Sequence, residues 1–159
     1  MSPDPVRRDF APNMIINEAR LEFQSVWFQA EDPLNTTKRM LKYLVAGVPE
    51  IEQEMFWLLA MNPKRRPICR QRLACGPVVA VQVSVEKIFL SIALAEAKSF
   101  ACLRTQPQGS VQPTLADGRL IFRIREMARL YQVDFADYLI ARLDGSDCYS
   151  WRENDRRAG

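Results

Sequence analysis

The chain has 159 residues, of which 48% are hydrophobic and 26% charged, and its formal net charge is +3. That length and apolar content suit one domain with a sizeable core and exclude global disorder. The longest apolar runs, such as Met55–Met61 and Ile88–Ala95, fall far short of the ~20 residues that cross a bilayer, and the charge is too mild to require an acidic or nucleic-acid partner.

Residues 1–18 carry three prolines and no useful periodicity, and are expected to form a loose arm. No signal-peptide core follows Arg7 and Arg8, so no membrane attachment and a cytoplasmic location are expected. Arg20–Phe28 alternates as a strand does. After the turn at Glu31-Asp32-Pro33, Asn35 or Thr36 caps a helix running to about Leu44, with Met40, Leu41 and Leu44 on its apolar side. Met55–Met61 reads as a buried strand. Lys64-Arg65-Arg66-Pro67 is a basic hairpin turn, and Ile68 to about Ala74 a second strand. Gly76-Pro77 then breaks the chain before the β-branched segment Val78–Val83.

Ser84 caps the next helix, Val85–Ala97, whose stripe is Val85, Phe89, Ile92 and Ala93. Phe100–Leu103 is a short strand that empties into the polar loop Arg104–Ser110. Thr114 caps a further helix, with Asp117 at its third position. On that helix Leu120, Ile121, Ile124, Met127, Ala128 and Tyr131 face the protein core, while Arg119, Arg123 and Arg129 fall mainly on the other side, with Arg125 nearby. Val133–Leu143 is a strand, Asp144-Gly145-Ser146 a turn, Cys148–Trp151 a last short strand, and the sequence from Arg152 a charged, frayed tail. The expectation is one α/β domain over residues 19–153, its sheet flanked by about three helices, with a separate tail at 154–159. There is no Gly-rich phosphate loop.

Two residue types limit the chemistry. Histidine is absent altogether. The four cysteines, Cys69, Cys75, Cys102 and Cys148, form no paired Cys-x-x-Cys knuckles and read as mostly buried free thiols, not as a zinc site. Cys102 has no histidine to activate it as a nucleophile. The basic positions Lys64, Arg65 and Arg66, with Arg119, Arg123 and Arg129, are candidates either for a solvated surface or for an acidic partner or nucleic acid.

One stretch carries a resemblance. Arg104-Thr105-Gln106-Pro107-Gln108-Gly109-Ser110-Val111-Gln112-Pro113-Thr114-Leu115-Ala116-Asp117 resembles His-Asn-His-Pro-Ser-Gly-Asp-Pro-x-Pro-Ser-x-x-Asp, the active loop of the bacterial RadC branch of the JAB/MPN metalloprotease-like superfamily. Glu54–Asn62, Lys64–Arg66, Val85–Phe89, Asp137–Ile140 and Tyr149–Glu153 are similar to other segments of that branch in the same order, so the resemblance spans roughly residues 20–153. It implies a JAB/MPN-like, cytidine-deaminase-like layered fold with a mixed sheet. The helix–hairpin–helix segment that precedes the domain in longer members is not expected here.

In the family two histidines and the aspartate hold Zn²⁺, a serine contacts the water-side machinery, and a glutamate acts as acid and base. The corresponding positions here are Arg104, Gln106 and Asp117 for the metal, Thr114 for the serine and Glu54 for the glutamate; the histidine outside the ligand set is Tyr138. Zinc hydrolysis needs three protein ligands and one open position, whereas arginine offers no lone pair at neutral pH and a glutamine amide is a weak ligand. The reading is therefore a protein without catalytic residues, metal or cofactor. Asp117 is either simply the third residue of its helix or also the ion-pair partner of Arg104. The expected role is macromolecular binding, a protein partner being favoured. Nucleic acid, through the family's DNA-repair and mobile-element associations, self-association and a repurposed hydrolase are the alternatives.

Overall fold

A computed structural model describes residues 25–28, 32–48 and 52–158; the expected arm at 1–18 and most of the expected strand Arg20–Phe28 lie outside the described residues. In chain order the elements are β1 (Ser25–Trp27), α1 (Thr37–Val45), β2 (Met55–Met61), β3 (Pro67–Cys75), α2 (Val79–Gln82), α3 (Val85–Leu94), β4 (Ser99–Thr105), α4 (Leu115–Tyr131), β5 (Asp134–Ala141), β6 (Cys148–Ser150) and α5 (Trp151–Ala158). The strands form one mixed sheet in the order β1-β3-β2-β4-β5-β6. Neighbours are antiparallel except β4 and β5, which run parallel. A parallel pair needs a crossover, and α4 supplies it. The polar loop before α4 is thereby held at the carboxyl end of β4.

The continuous apolar runs in β2 and β4 follow from burial on both faces. Phe56, Leu58 and Ala60 of β2 join Phe100 and Cys102 of β4 beneath α2, α3 and α4. The alternate residues Met55, Trp57, Leu59 and Met61 join Ala101 and Leu103 on the other face, with Met40 and Leu44 of α1 above them. In β5 the register shifts beside the Phe100/Ala101 step, pairing Phe100 with Phe135 but Ala101 with Asp137. The extra residue sends Asp137 toward α1, where the Thr37 hydroxyl donates to its carboxylate at 3.0 Å.

Helix starts follow their caps. Thr36, not Asn35, caps α1, its hydroxyl accepting from the Arg39 N–H at 3.2 Å, and Ser84 accepts from the Lys87 N–H at 3.1 Å. Three expectations need correction. The β-branched segment after Gly76-Pro77 coils into α2 because Val79 and Val83 are drawn into the core, packing overriding propensity. Tyr131 is not buried; it stands 60% exposed and stacks on Phe89 at 5.6 Å. Residues 151–158 form a helix, not a strand end and frayed tail, so five helical segments flank the sheet among the described residues. Helix α5 exists because side chains remote in sequence satisfy its first turn. Ser150 Oγ accepts from the Glu153 N–H at 3.2 Å and Asp137 Oδ1 from the Arg152 N–H at 3.0 Å, while Trp151 stacks on Phe135 at 5.0 Å. Among the described residues no helix is long and apolar enough to cross a membrane.

Candidate functional site

Strand alternation sets the site. Arg104 shares a sheet face with Phe100 and Cys102, so its side chain rises from the end of β4 under the first turn of α4. There it meets Asp117. The guanidinium Nε donates to Oδ1 at 2.8 Å and Nη2 to Oδ2 at 2.7 Å, the two-pronged geometry that matches arginine to a carboxylate. Both groups are interior, Arg104 at 3% exposure and Asp117 at 0%.

Asp117 also completes a capping box. Its N–H donates to Thr114 Oγ1 at 3.2 Å, while its Oδ2 accepts from the Thr114 N–H at 2.8 Å and from the Thr114 hydroxyl at 3.0 Å. From β5 the Tyr138 hydroxyl adds a bond to Oδ1 at 2.7 Å. The two roles open for Asp117 in the sequence, helix N-terminal residue and partner of Arg104, are thus filled by the same carboxylate. Arg104 Nη1 in turn donates to the Gln106 side-chain oxygen.

Charge follows geometry. Burial works against ionising Asp117, but the bonds from Arg104, the Thr114 N–H and Tyr138 outweigh it and hold the carboxyl below its usual range. Burial likewise opposes the Arg104 charge, and the Asp117 carboxylate reverses that effect and raises the Arg104 pKa. Tyr138 is pushed well above the usual phenol value by burial and then by the adjacent Asp117 charge, so it stays a donor. The centre is a neutral, internally satisfied ion pair.

Glu54, Arg104, Gln106 and Thr114 do converge. They line one hollow of about 370 Å³ between the start of β2, the loop after β4 and the N-terminus of α4, with Val81 of α2 on its wall. The basic positions do not converge. Lys64–Arg66 lie at the opposite end of the sheet, where the Arg65 guanidinium meets Asp134 at 3.0 Å, and Arg129, in the last turn of α4 just before Asp134, lies toward that same end. Arg119 sits near the start of α4, and Arg123, at its middle, pairs with Glu86 of α3 at 3.2 Å. Of the thiols, Cys69 and Cys102 are buried, Cys75 is half-buried and Cys148 exposed, so burial holds for two of the four.

A second polar centre was not legible as one. Asp137 Oδ2 accepts from Ser150 Oγ at 2.6 Å and from Thr37, and Oδ1 accepts from the Tyr138 and Arg152 N–H groups. Burial still dominates and raises its pKa. A lone aspartate inside the apolar strand Phe135–Ala141 was the available signal.

The Zn²⁺ that the resemblance implies does not fit this donor set. Arg104 presents only N–H groups, and they occupy the face of Asp117 that a cation would need. Among the described residues no group of three or more His, Cys, Asp or Glu side chains could hold a metal ion.

Comparison with known proteins agrees with the fold. A protein-family model described as the RadC-like JAB domain matches residues 34–156. A UPF0758 protein of Haemophilus influenzae is 26% identical over 121 residues, covering 76% of this chain and 54% of its own length. One from Photorhabdus laumondii is 26% identical over 131 residues, covering 82% and 57%, and one from Pelodictyon phaeoclathratiforme is 22% identical over 121 residues, covering 76% and 54%. The chain's matched region spans about half the length of these curated relatives.

Proposed function

The chain belongs to the RadC-like JAB domain family, and within it we propose a non-catalytic interaction domain that keeps the family scaffold and binds another protein. The observation that carries this reading is the Arg104–Asp117 pair. A carboxylate has about four lone-pair sites, and five donor contacts from Arg104, Thr114 and Tyr138 fall on Asp117. A fixed +1 group shielded from solvent replaces the environment a metal-bound water requires. Glu54, although it lines the same hollow, has no such water from which to take a proton.

A protein is favoured over nucleic acid by what the surface offers. The large apolar side chains that stand exposed among the described residues all belong to the layer α2–α4 and the residues flanking α2, including Val81, Leu90, Leu94, Leu115, Phe122 and Leu130. Such clustering is characteristic of protein contacts. The basic residues are instead split between two ends of the domain, and two of them are already paired. Elemental analysis of protein purified without chelators tests the non-catalytic reading: no stoichiometric zinc is expected, and one zinc per chain overturns it. Binding to short DNA at low ionic strength tests the partner class, since a steep salt dependence would favour nucleic acid instead.

A further inference from the structure

The outer face of α4 is unpartnered and self-complementary. With 100° between successive residues, the core side is Asp117, Leu120, Ile121, Ile124 and Ala128, all buried. The opposite side presents Leu115, Arg119, Phe122, Glu126 and Leu130, all exposed. Arg119 and Glu126 have no hydrogen-bond or ion-pair partner among the described residues. Three large apolar groups facing water on one 17-residue helix oppose the pattern of a surface helix that serves only its own fold. Gly118, on the same flank, adds a second anomaly. Glycine costs a helix interior roughly 0.5–1 kcal/mol relative to alanine, yet an added Cβ at Gly118 meets nothing within 4 Å in this chain.

We infer that this face docks against the same face of a second copy of the chain, the two α4 helices packing antiparallel about a two-fold axis midway between Phe122 and Arg123. The argument is charge and shape complementarity. Around that axis Leu115 faces the second copy's Leu130, each about 11 Å from the axis at 1.5 Å per residue. Arg119 faces the second copy's Glu126, and Phe122, next to the axis, meets the second copy's Phe122. The two-fold operation repeats the Leu115–Leu130 and Arg119–Glu126 contacts. At 100° per residue Arg119 and Glu126 lie within about 10° of the outward direction and so meet near the centre of the seam, whereas Leu115 and Leu130 lie about 30° to either side of it and pack diagonally across it. Every unpaired charge on the outermost stripe finds its opposite, which an isologous interface requires and an arbitrary partner would not. Val81, which stands exposed near the α4 N-terminus, extends the apolar margin.

This inference rests on the interaction-domain reading, yet the two fail separately: bound zinc overturns that reading, whereas a monomer overturns this one. The experiment is sedimentation equilibrium on the full chain. The wild type is expected to be a dimer at about 100 μM. Arg119→Glu places two acidic groups opposite each other in both halves of the interface, and Glu126→Arg places two basic ones. Each is expected to weaken association by about tenfold or more. An equimolar mixture of the two variants re-forms opposite pairs in both halves and is expected to associate as the wild type does, as is the Arg119→Glu/Glu126→Arg double variant. Both positions are exposed, so loss of fold does not imitate this pattern. A monomeric wild type overturns the proposal, whether residues 1–24 or a different protein then covers α4, and so does a mixture that fails to re-associate.

Discussion

The guanidinium of Arg104, near the end of β4, makes two bonds to the carboxylate of Asp117, in the first turn of the crossover helix, at 2.8 and 2.7 Å. The pair ties the strand to the helix that follows it, at the point where the loop between them would otherwise be free to open. Because both groups are out of water, the contact is best understood through what each costs when left alone.

Removing one partner strands the other. Arg104→Met leaves an anion held only by Thr114 and Tyr138, and Asp117→Asn leaves a buried guanidinium without a counter-charge. Each is expected to cost about 3–5 kcal/mol in urea unfolding. The Arg104→Met/Asp117→Leu double variant is expected to cost far less than the two together, because no uncompensated charge remains.

Acid should act on the two buried aspartates in opposite senses. Asp117 has a folded pKa below the ordinary 3.8, so its contribution is complete above about pH 4 and lost as pH falls through the folded value. Asp137 has a folded pKa above 3.8; its contribution is present at low pH and lost as pH rises through the folded value. Thermal midpoints measured down from pH 6 are therefore expected to fall less steeply in acid for Asp117→Asn than for wild type, and more steeply for Asp137→Asn.

Restoring imidazoles tests the correspondence of positions. Arg104→His/Gln106→His frees Asp117 from its guanidinium and places two neutral nitrogen ligands at the end of β4. Calorimetric titration with zinc is expected to show one site per chain in this variant and none in the wild type, and adding Asp117→Asn should abolish it.

Helix α5 depends on Ser150, which accepts from the Glu153 N–H and donates to Asp137 at 2.6 Å. Ser150→Ala removes a cap and leaves a buried carboxylate short of a donor. The expected loss is about 2 kcal/mol, with reduced far-ultraviolet helicity. A red shift in tryptophan emission is also expected as Trp151 leaves Phe135.

The thiols should separate by burial. Desolvation pushes the Cys69 thiol up to about 12 and that of Cys102 higher still. Ellman's reagent is expected to modify Cys75 and Cys148 in the folded protein, Cys148 slowed because burial and nearby carboxylates push its thiol up to about 11, and to reach Cys69 and Cys102 only on unfolding.

Local patterns carried most of the secondary structure. Met55–Met61 reads as a buried strand, Thr114 and Asp117 mark a capped helix start, and a chain without histidine cannot supply the family's two histidine ligands. These are properties of single residues and short spacings, which sequence records directly. The conformations of residues 78–83 and 151–158 are not carried by their local patterns, because they depend on partners far along the chain. Val79 and Val83 coil to reach the core, and α5 forms because Asp137 and Ser150 meet its free N–H groups. Sequence could pose two roles for Asp117 but could not show that one carboxylate fills both, since that depends on β4, α4 and Tyr138 of β5 converging within hydrogen-bonding distance. Nor could it show that Lys64–Arg66 and Arg119 lie at opposite ends of the domain. Composition and spacing determined which side chains stand at the family's site positions; the sheet's alternation and the crossover of α4 decided which charges meet, because only folding converts distance along the chain into distance in space.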